Sequence, residues 1–173
     1  MKAILEAYLK DKVNQYKEIN YLDVFFSEDM LKYCQANHCG QYNKNWMCPP
    51  SIIPIEKLNQ SQKYQKAFIF NHITKLSDSF DYEGMKKGRK KVEKILLGLR
   101  QHLNSYKDYQ IIGVGSCSIC PSCTYPDAPC RFPNLASPSM EAIGIDVLSL
   151  SKKVDMKYNN GINTVTYFAM IIY

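Results

Sequence analysis

Apolar residues recur along this chain of 173 residues with a helical period in some segments and a strand period in others. The segment from Gly84 to Leu103 has the strongest helical pattern, because its apolar residues fall on one face and most basic residues on the other. Residues 2–16 also place apolar side chains three or four positions apart, namely Ile4, Leu5, Tyr8, Leu9 and Val13. Both segments are therefore predicted to be helices that pack one face on a core.

Helix-start residues predict three shorter helices. Ser27 is a suitable N-cap for a helix that carries Cys34, and Pro54 can begin a second one that ends near position 62. Ser137 followed by Pro138 predicts the start of the third, because serine favours the N-cap and proline the first helical position. Its apolar stripe would be Met140, Ile143, Val147 and Leu150.

Segments rich in β-branched and aromatic residues predict strands at Ile19 to Phe26, Lys66 to Ile73, Tyr109 to Val114 and Ile162 to Tyr173. The last segment is apolar enough to be buried on both faces of a sheet. No repeat or linker divides the chain, so we predict one α/β domain over residues 1–173. Its architecture would be a layered sandwich, in which helices cover a mixed sheet of about four strands.

The composition is that of an ordinary folded protein, with 46% hydrophobic and 22% charged residues. The first residues lack the long apolar run of a signal peptide, and no later segment reaches the roughly 18 apolar residues that indicate a membrane span. We therefore expect a cytoplasmic protein that does not enter a membrane. In a reducing compartment, closely spaced cysteines are more often metal ligands or catalytic groups than disulfides.

The seven cysteines fall into two groups. The 34–48 cysteines are Cys34, Cys39 and Cys48, and the 117–130 cysteines are Cys117, Cys120, Cys123 and Cys130. The second group directly follows a predicted strand, so we expect its loop at a strand end, where binding sites are often found. Its spacing, C-x2-C-x2-C-x6-C, resembles the ferredoxin run C-x2-C-x2-C-x3-C-P in its first two gaps. A [4Fe-4S] cluster is therefore the favoured ligand.

The number of thiols leaves the allocation of ligands open. Two such clusters need eight ligands, and the chain has seven cysteines. Either the 117–130 cysteines hold one cluster by themselves, or Cys130 joins the 34–48 cysteines while the other three hold a cluster with an open iron. His38, beside Cys39, is a candidate for the missing ligand or simply a surface histidine.

Several rival interpretations fit the same residues. Four thiols can also hold a structural zinc ion, although zinc sites usually use paired cysteine knuckles. The 34–48 cysteines can instead be small buried hydrophobes. Arg131 is placed to offset the charge of a cluster or, alternatively, to pair with Asp127 or Glu141. The favoured function is electron transfer or an accessory role to a redox enzyme. The alternatives are a zinc-stabilised interaction module and an enzyme that uses an open iron as a Lewis acid.

Much of the net charge of +6 lies on the predicted helix from Gly84 to Leu103. Lys87, Lys90, Lys91 and Lys94 would form a docking face for an acidic redox partner, or they are only the solvated face of a helix. We do not expect nucleic acid as the partner, and no small-molecule substrate is identifiable.

Three sequence blocks resemble an uncharacterised prokaryotic family of proteins described as predicted metal-binding. The blocks are Trp46-Met47-Cys48-Pro49-Pro50, then the 117–130 cysteines with Pro129, Arg131 and Pro133, then Pro138 to Val147. The resemblance extends from about Cys34 to the last predicted strand. It implies that the cysteines bind a metal, and it implies no particular activity.

Overall fold

The computed structural model describes residues 1–52 and 63–173. The helix predicted from Pro54 to Gln62 therefore lies outside the described residues. The helices are α1 (Lys2–Leu9), α2 (Glu28–Gln35), α3 (Tyr82–His102) and α4 (Val147–Lys153). The strands are β1 (Gln15–Asn20), β2 (Lys66–Lys75), β3 (Gln110–Ile112) and β4 (Thr164–Ile172). Two 3-10 turns span Tyr21–Asp23 and Glu141–Ile143.

The four strands form one sheet in the order β1-β2-β4-β3, and every neighbouring pair is antiparallel. The predicted α/β class and the four-stranded sheet are confirmed, but the prediction of a mixed sheet is wrong. Strands β2 and β3 do run in the same direction and are connected through α3, which normally produces a parallel pair. They are not neighbours here, because β4 lies between them.

Helices and other segments cover both faces of the sheet, as the predicted sandwich requires. On one face, Phe68 and Phe70 of β2 pack with buried side chains of α1 and α3. On the other face, Ala67 and Ile69 pack with residues of α4 and the segment before it. Residues 168–172 of β4 alternate between the two clusters, so this strand is buried on both faces as predicted.

Helix α3 and helix α2 agree with the sequence patterns. The Asp81 carboxylate caps α3 by accepting a hydrogen bond from the Gly84 N–H at 2.7 Å, and the helix buries the predicted apolar stripe against the sheet. Gly88 lets α3 approach the sheet, because a Cβ at this position would lie 2.4 Å from Thr74 Oγ1. Ser27 caps α2, as predicted, with its Oγ accepting from the Asp29 N–H at 3.3 Å.

The strand predicted from Ile19 to Phe26 is misplaced. Strand β1 spans Gln15–Asn20, and the 3-10 turn Tyr21–Asp23 ends it. Its residues are largely polar because β1 is an edge strand that pairs only with β2 in the described sheet. Tyr21 is buried as the chain turns, whereas Leu22 is 91% exposed. The aromatic residues that suggested a strand here belong instead to a turn that buries Tyr21.

The helix predicted to begin at Ser137 is also wrong in position. The chain is first extended, with the Pro138 carbonyl accepting from the Gly113 N–H at 2.8 Å. The 3-10 turn that follows ends at Gly144, whose φ of +88° is a left-handed conformation that glycine adopts without steric cost. Helix α4 then begins behind Asp146, whose Oδ1 accepts from the Ser149 N–H at 3.0 Å.

Candidate metal centre

The loop that carries the 117–130 cysteines leaves the sheet at the end of β3, as predicted. Strand β3 pairs with β4 through three residues only, and Val114 is still buried beyond it. Gly115 then turns the chain with φ of +59°. A Cβ at Gly115 would lie 3.3 Å from the guanidinium of Arg89, so the loop passes close over a side chain of α3.

Arg89 and Glu93 of α3 hold the start of this loop. Arg89 Nη2 donates to the Ser116 carbonyl, and Arg89 Nε lies 2.9 Å from Glu93 Oε1. Ser118 Oγ donates to the same Glu93 oxygen at 2.7 Å. The residues on both sides of Cys117 are therefore tied to one ion pair on the helix.

Arg100, farther along the same helix, holds the chain beyond the cysteines. Its Nη1 donates to the Asn134 carbonyl at 3.0 Å, and its Nη2 donates to the Ala136 carbonyl at 3.4 Å and to Ser137 Oγ. Burial lowers the pKa of this guanidinium from its ordinary value, but arginine remains protonated in proteins. Helix α3 thus fixes both ends of the loop.

Hydrogen bonds inside the loop shape the segment between Cys123 and Cys130. Thr124 Oγ1 donates to the Pro129 carbonyl at 2.8 Å, and the Ala128 N–H donates to the Thr124 carbonyl at 2.9 Å. These bonds close a compact turn, so the long x6 gap brings the last cysteine back toward the first three.

Trp46, which lies two residues before Cys48, packs against this turn. Trp46 Nε1 donates to the Ala128 carbonyl at 3.1 Å, and the rings of Trp46 and Tyr125 meet edge to face with centroids 4.9 Å apart. Tyr125 donates its hydroxyl proton to Asn43 Oδ1 at 2.7 Å. The loops of the two cysteine groups are therefore in direct contact.

All four of the 117–130 cysteines line one cavity of about 250 Å³. A single enclosed water molecule needs only about 10–15 Å³, so this cavity has room for a ligand much larger than one water. Lys44 and Arg131 also line the cavity and add positive charge beside the thiols. Arg131 Nη1 donates to the Ser122 carbonyl at 2.8 Å, and in the described chain it forms no ion pair with Asp127 or Glu141.

The 34–48 cysteines lie on α2 and on the segment that follows it. Cys34 stands in the last turn of α2, and its Sγ is 4.0 Å from the Glu141 carbonyl oxygen. Burial raises the pKa of the Cys34 thiol to about 11, and negative charge at Cys48, Cys39 and Glu141 adds to the shift. Cys39 is exposed, while Cys48 is buried. The three thiols of this group therefore range from buried to exposed.

Cys48 and Cys117, one from each group, both have raised thiol pKa values. Burial raises the pKa of Cys48, negative charge at Cys39 or Cys117 raises it further, and the Asn45 amide and Arg89 oppose the shift. Burial likewise raises the pKa of Cys117, with contributions from Cys130 and the other two thiols of its group. A raised pKa favours the protonated thiol at Cys48 and Cys117. Because metal ligation requires the thiolate, binding of a metal by these two residues would release protons.

The arrangement differs from that of a closed site for one small ion. All seven cysteines are free thiols. In residues 1–52 and 63–173, no three His, Cys, Asp or Glu side chains form a group that could hold a metal ion. Structural zinc holds four ligands in a tetrahedron, with sulfurs about 2.3 Å from the ion. The 117–130 cysteines instead surround a wider space, and His38 next to Cys39 is exposed.

Several residues of this centre could not be identified from sequence. Lys44, Asn45, Arg89 and Glu93 carry no motif spacing, and only the packing of α3 and the two loops brings them to the cysteines. The predicted docking residues Lys87, Lys90, Lys91 and Lys94 are all exposed on α3. In the described parts of the chain, no helix is long and apolar enough to cross a membrane.

Residues 17–173 match the family described as predicted metal-binding protein (DUF2284). No curated protein and no solved structure matches the chain.

Proposed function

The chain belongs to this family of predicted metal-binding proteins, and from that premise we propose that it carries a [4Fe-4S] cluster for electron transfer to a redox partner. The proposed ligands are Cys117, Cys120, Cys123 and Cys130. The observation that carries the proposal is that these four free thiols line one cavity. Four thiolates are the usual ligand set of this cluster, and soft sulfur ligands suit iron-sulfur chemistry.

The surrounding residues fit such a ligand. When bound, the cluster accepts and releases one electron at a potential set by net charge, hydrogen bonds to sulfur and solvent exposure. Lys44 and Arg131 provide positive charge that offsets the thiolates. The rings of Trp46 and Tyr125 pack between the two loops, and Trp46 also lines the cavity.

We further propose that the 34–48 cysteines hold a second metal site beside the first. The support is that Cys34, Cys39 and Cys48 are closely spaced in the sequence. In addition, Trp46, two residues before Cys48, contacts the 117–130 loop through the Ala128 carbonyl. Three thiols leave one coordination position for another ligand. This allocation keeps the ligands of each site in one continuous segment of the sequence.

The exposed lysines of α3 are the proposed docking surface. Lys87, Lys90, Lys91 and Lys94 lie on the helix whose Arg89 contacts the start of the cysteine loop. A basic surface on a redox protein favours encounter with an acidic partner and steers its approach. The partner proposed is therefore a redox protein with an acidic surface.

The decisive experiment is metal and acid-labile sulfide analysis, with visible absorption, on protein purified without oxygen. About eight iron and eight sulfide per chain are expected for two clusters, and about four of each for one cluster. One zinc ion without sulfide would contradict the electron-transfer proposal and indicate a zinc-stabilised module instead.

Two matched variants test the allocation of ligands. Cys120→Ser should remove the iron of the 117–130 site, and Cys39→Ser should remove only the metal of the second site. If Cys39→Ser leaves the iron content unchanged, the second site does not hold iron. If Cys120→Ser leaves both iron and sulfide unchanged, the proposed primary site is wrong.

A further inference from the structure

Asn45 is a buried polar side chain next to a proposed metal ligand. It is 3% exposed and stands three residues before Cys48. Its Nδ2 lies 3.3 Å from Cys48 Sγ and 3.4 Å from Gln41 Oε1. Its Oδ1 accepts a hydrogen bond from the Met47 N–H at 3.0 Å. Both ends of the amide are therefore engaged.

These partners fix the orientation of the amide. The Met47 N–H can only donate, so it must face the oxygen of Asn45 and not the nitrogen. The NH₂ group is consequently the end that faces Cys48, and the contact is an N–H···S hydrogen bond. The same residue pair is linked through the backbone, because the Cys48 N–H donates to the Asn45 carbonyl at 3.2 Å.

The position of Asn45 is also fixed by its neighbours. Ser51 Oγ donates to the Asn45 carbonyl at 2.7 Å, which closes the turn around the cysteine. Because both Asn45 and Cys48 are buried, the hydrogen bond between them lies in a medium of low dielectric constant, where such bonds are stronger than in water.

We infer that Asn45 is a positioning residue that holds the Cys48 sulfur as a metal ligand through this hydrogen bond and raises the reduction potential of the bound centre. The inference rests on the proposed function and adds a residue outside the cysteines to it. A donor to a ligating sulfur stabilises the reduced state most, because that state places more negative charge on sulfur. Outer-shell hydrogen bonds of this kind orient ligands and tune the metal.

The test is Asn45→Asp with Asn43→Asp as its control, both measured as the midpoint potential of the iron-loaded protein. In Asn45→Asp, one carboxylate oxygen can still accept from the Met47 N–H. The other oxygen faces the Cys48 sulfur and, as a carboxylate, has no proton to donate to it. Asn43 is exposed on the same loop and accepts from Tyr125. An aspartate there keeps that acceptor and adds the same charge without facing sulfur.

We expect Asn45→Asp to lower the potential relative to Asn43→Asp by a tenfold change in the reduction equilibrium, which is 59 mV for one electron. The sulfur-to-iron absorption band should shift in the first variant only. Equal potentials in the two variants would overturn the inference while leaving the iron content, and hence the proposed function, intact.

Two further measurements separate the other outcomes. If thermal unfolding shows that Asn45→Asp is not folded, Asn45→Ser is the second variant. Its shorter side chain removes the donor to the Cys48 sulfur without adding a charge, and it should lower the midpoint potential by a smaller amount. If the wild type takes up zinc and no iron, the proposed function fails. The Co²⁺-loaded variants then test the hydrogen bond through the sulfur-to-cobalt absorption band, and an unshifted band overturns the inference.

Discussion

Single side chains decide how the cysteine loop is held, and Arg89 is the clearest case. Its guanidinium joins α3 to the Ser116 carbonyl and pairs with Glu93, so one residue connects the helix, the loop and the ion pair. From the sequence, Arg89 is one of several basic residues on a helical segment and has no distinguishing spacing. The tertiary packing of α3 against the loop gives it this role, which is why sequence reasoning could not identify it.

Replacing Arg89 with methionine should therefore weaken the loop. Arg89→Met keeps the aliphatic length but removes the hydrogen bonds to Ser116 and Glu93. We expect a loss of about 1.5–3 kcal/mol in the free energy of unfolding, the range for hydrogen bonds that involve a charged group. The measurement is urea unfolding of the metal-free protein, followed by iron retention after loading.

Lys90→Met is the matched control for that variant. Lys90 is the next residue on the same helix and is exposed, so its replacement removes a cation without removing a contact to the loop. Equal stability and equal iron retention in the two variants would show that Arg89 does not hold the loop.

At the scale of elements, the sequence predicted best those segments whose periodicity is enforced by burial. Strands β2 and β4 and helix α3 lie where expected, because each buries a regular stripe or both faces. Strand β1 was displaced because an edge strand tolerates polar residues. Helix α4 was displaced because Gly144 and Asp146 set its start more strongly than the Ser137-Pro138 pair.

The observed start of α4 gives a test at this scale. Asp146→Ala should cost about 1 kcal/mol in the free energy of unfolding, because the Ser149 N–H would lose its capping acceptor. Asp146→Asn retains that acceptor and should cost less. Thermal or urea unfolding of both variants measures the difference, and an Ala variant as stable as the Asn variant would contradict the assigned cap.

The same cap has a defined dependence on pH. Burial alone would raise the pKa of Asp146, but hydrogen bonds from Ser149 and Leu148 lower it below its ordinary value. Because the folded-state pKa is depressed, the stabilisation is present above the unfolded pKa and is lost as pH falls through the folded one. The destabilisation caused by Asp146→Ala should accordingly shrink in strongly acidic solution.

For the whole molecule, the cores and the cysteine loops are separate parts of the structure. Neither hydrophobic cluster in the described residues contains a cysteine, and both clusters are built on the central strands β2 and β4. The sheet therefore has apolar packing of its own on each face. The loop of the 117–130 cysteines leaves the sheet at the end of β3 and is tied to α3 by hydrogen bonds from Arg89, Glu93 and Arg100.

Removal of metal should consequently loosen the loops and leave the sheet folded. After chelation, amide hydrogen exchange should accelerate in residues 34–51 and 115–136, while β2 and β4 remain protected. Far-UV circular dichroism should change little. Global loss of protection on chelation would instead identify a protein whose folding depends on the metal, as in small zinc domains.

The insertion of β4 between β2 and β3 has a consequence for the order of events during synthesis. All seven cysteines leave the ribosome before β4, which begins at Thr164. Until then β3 has no neighbouring strand, because β4 is its only partner in the described sheet. The cysteine loop is thus made early and anchored late. Nascent chains that still lack β4 should therefore react faster with alkylating reagents at the 117–130 cysteines than the completed protein does.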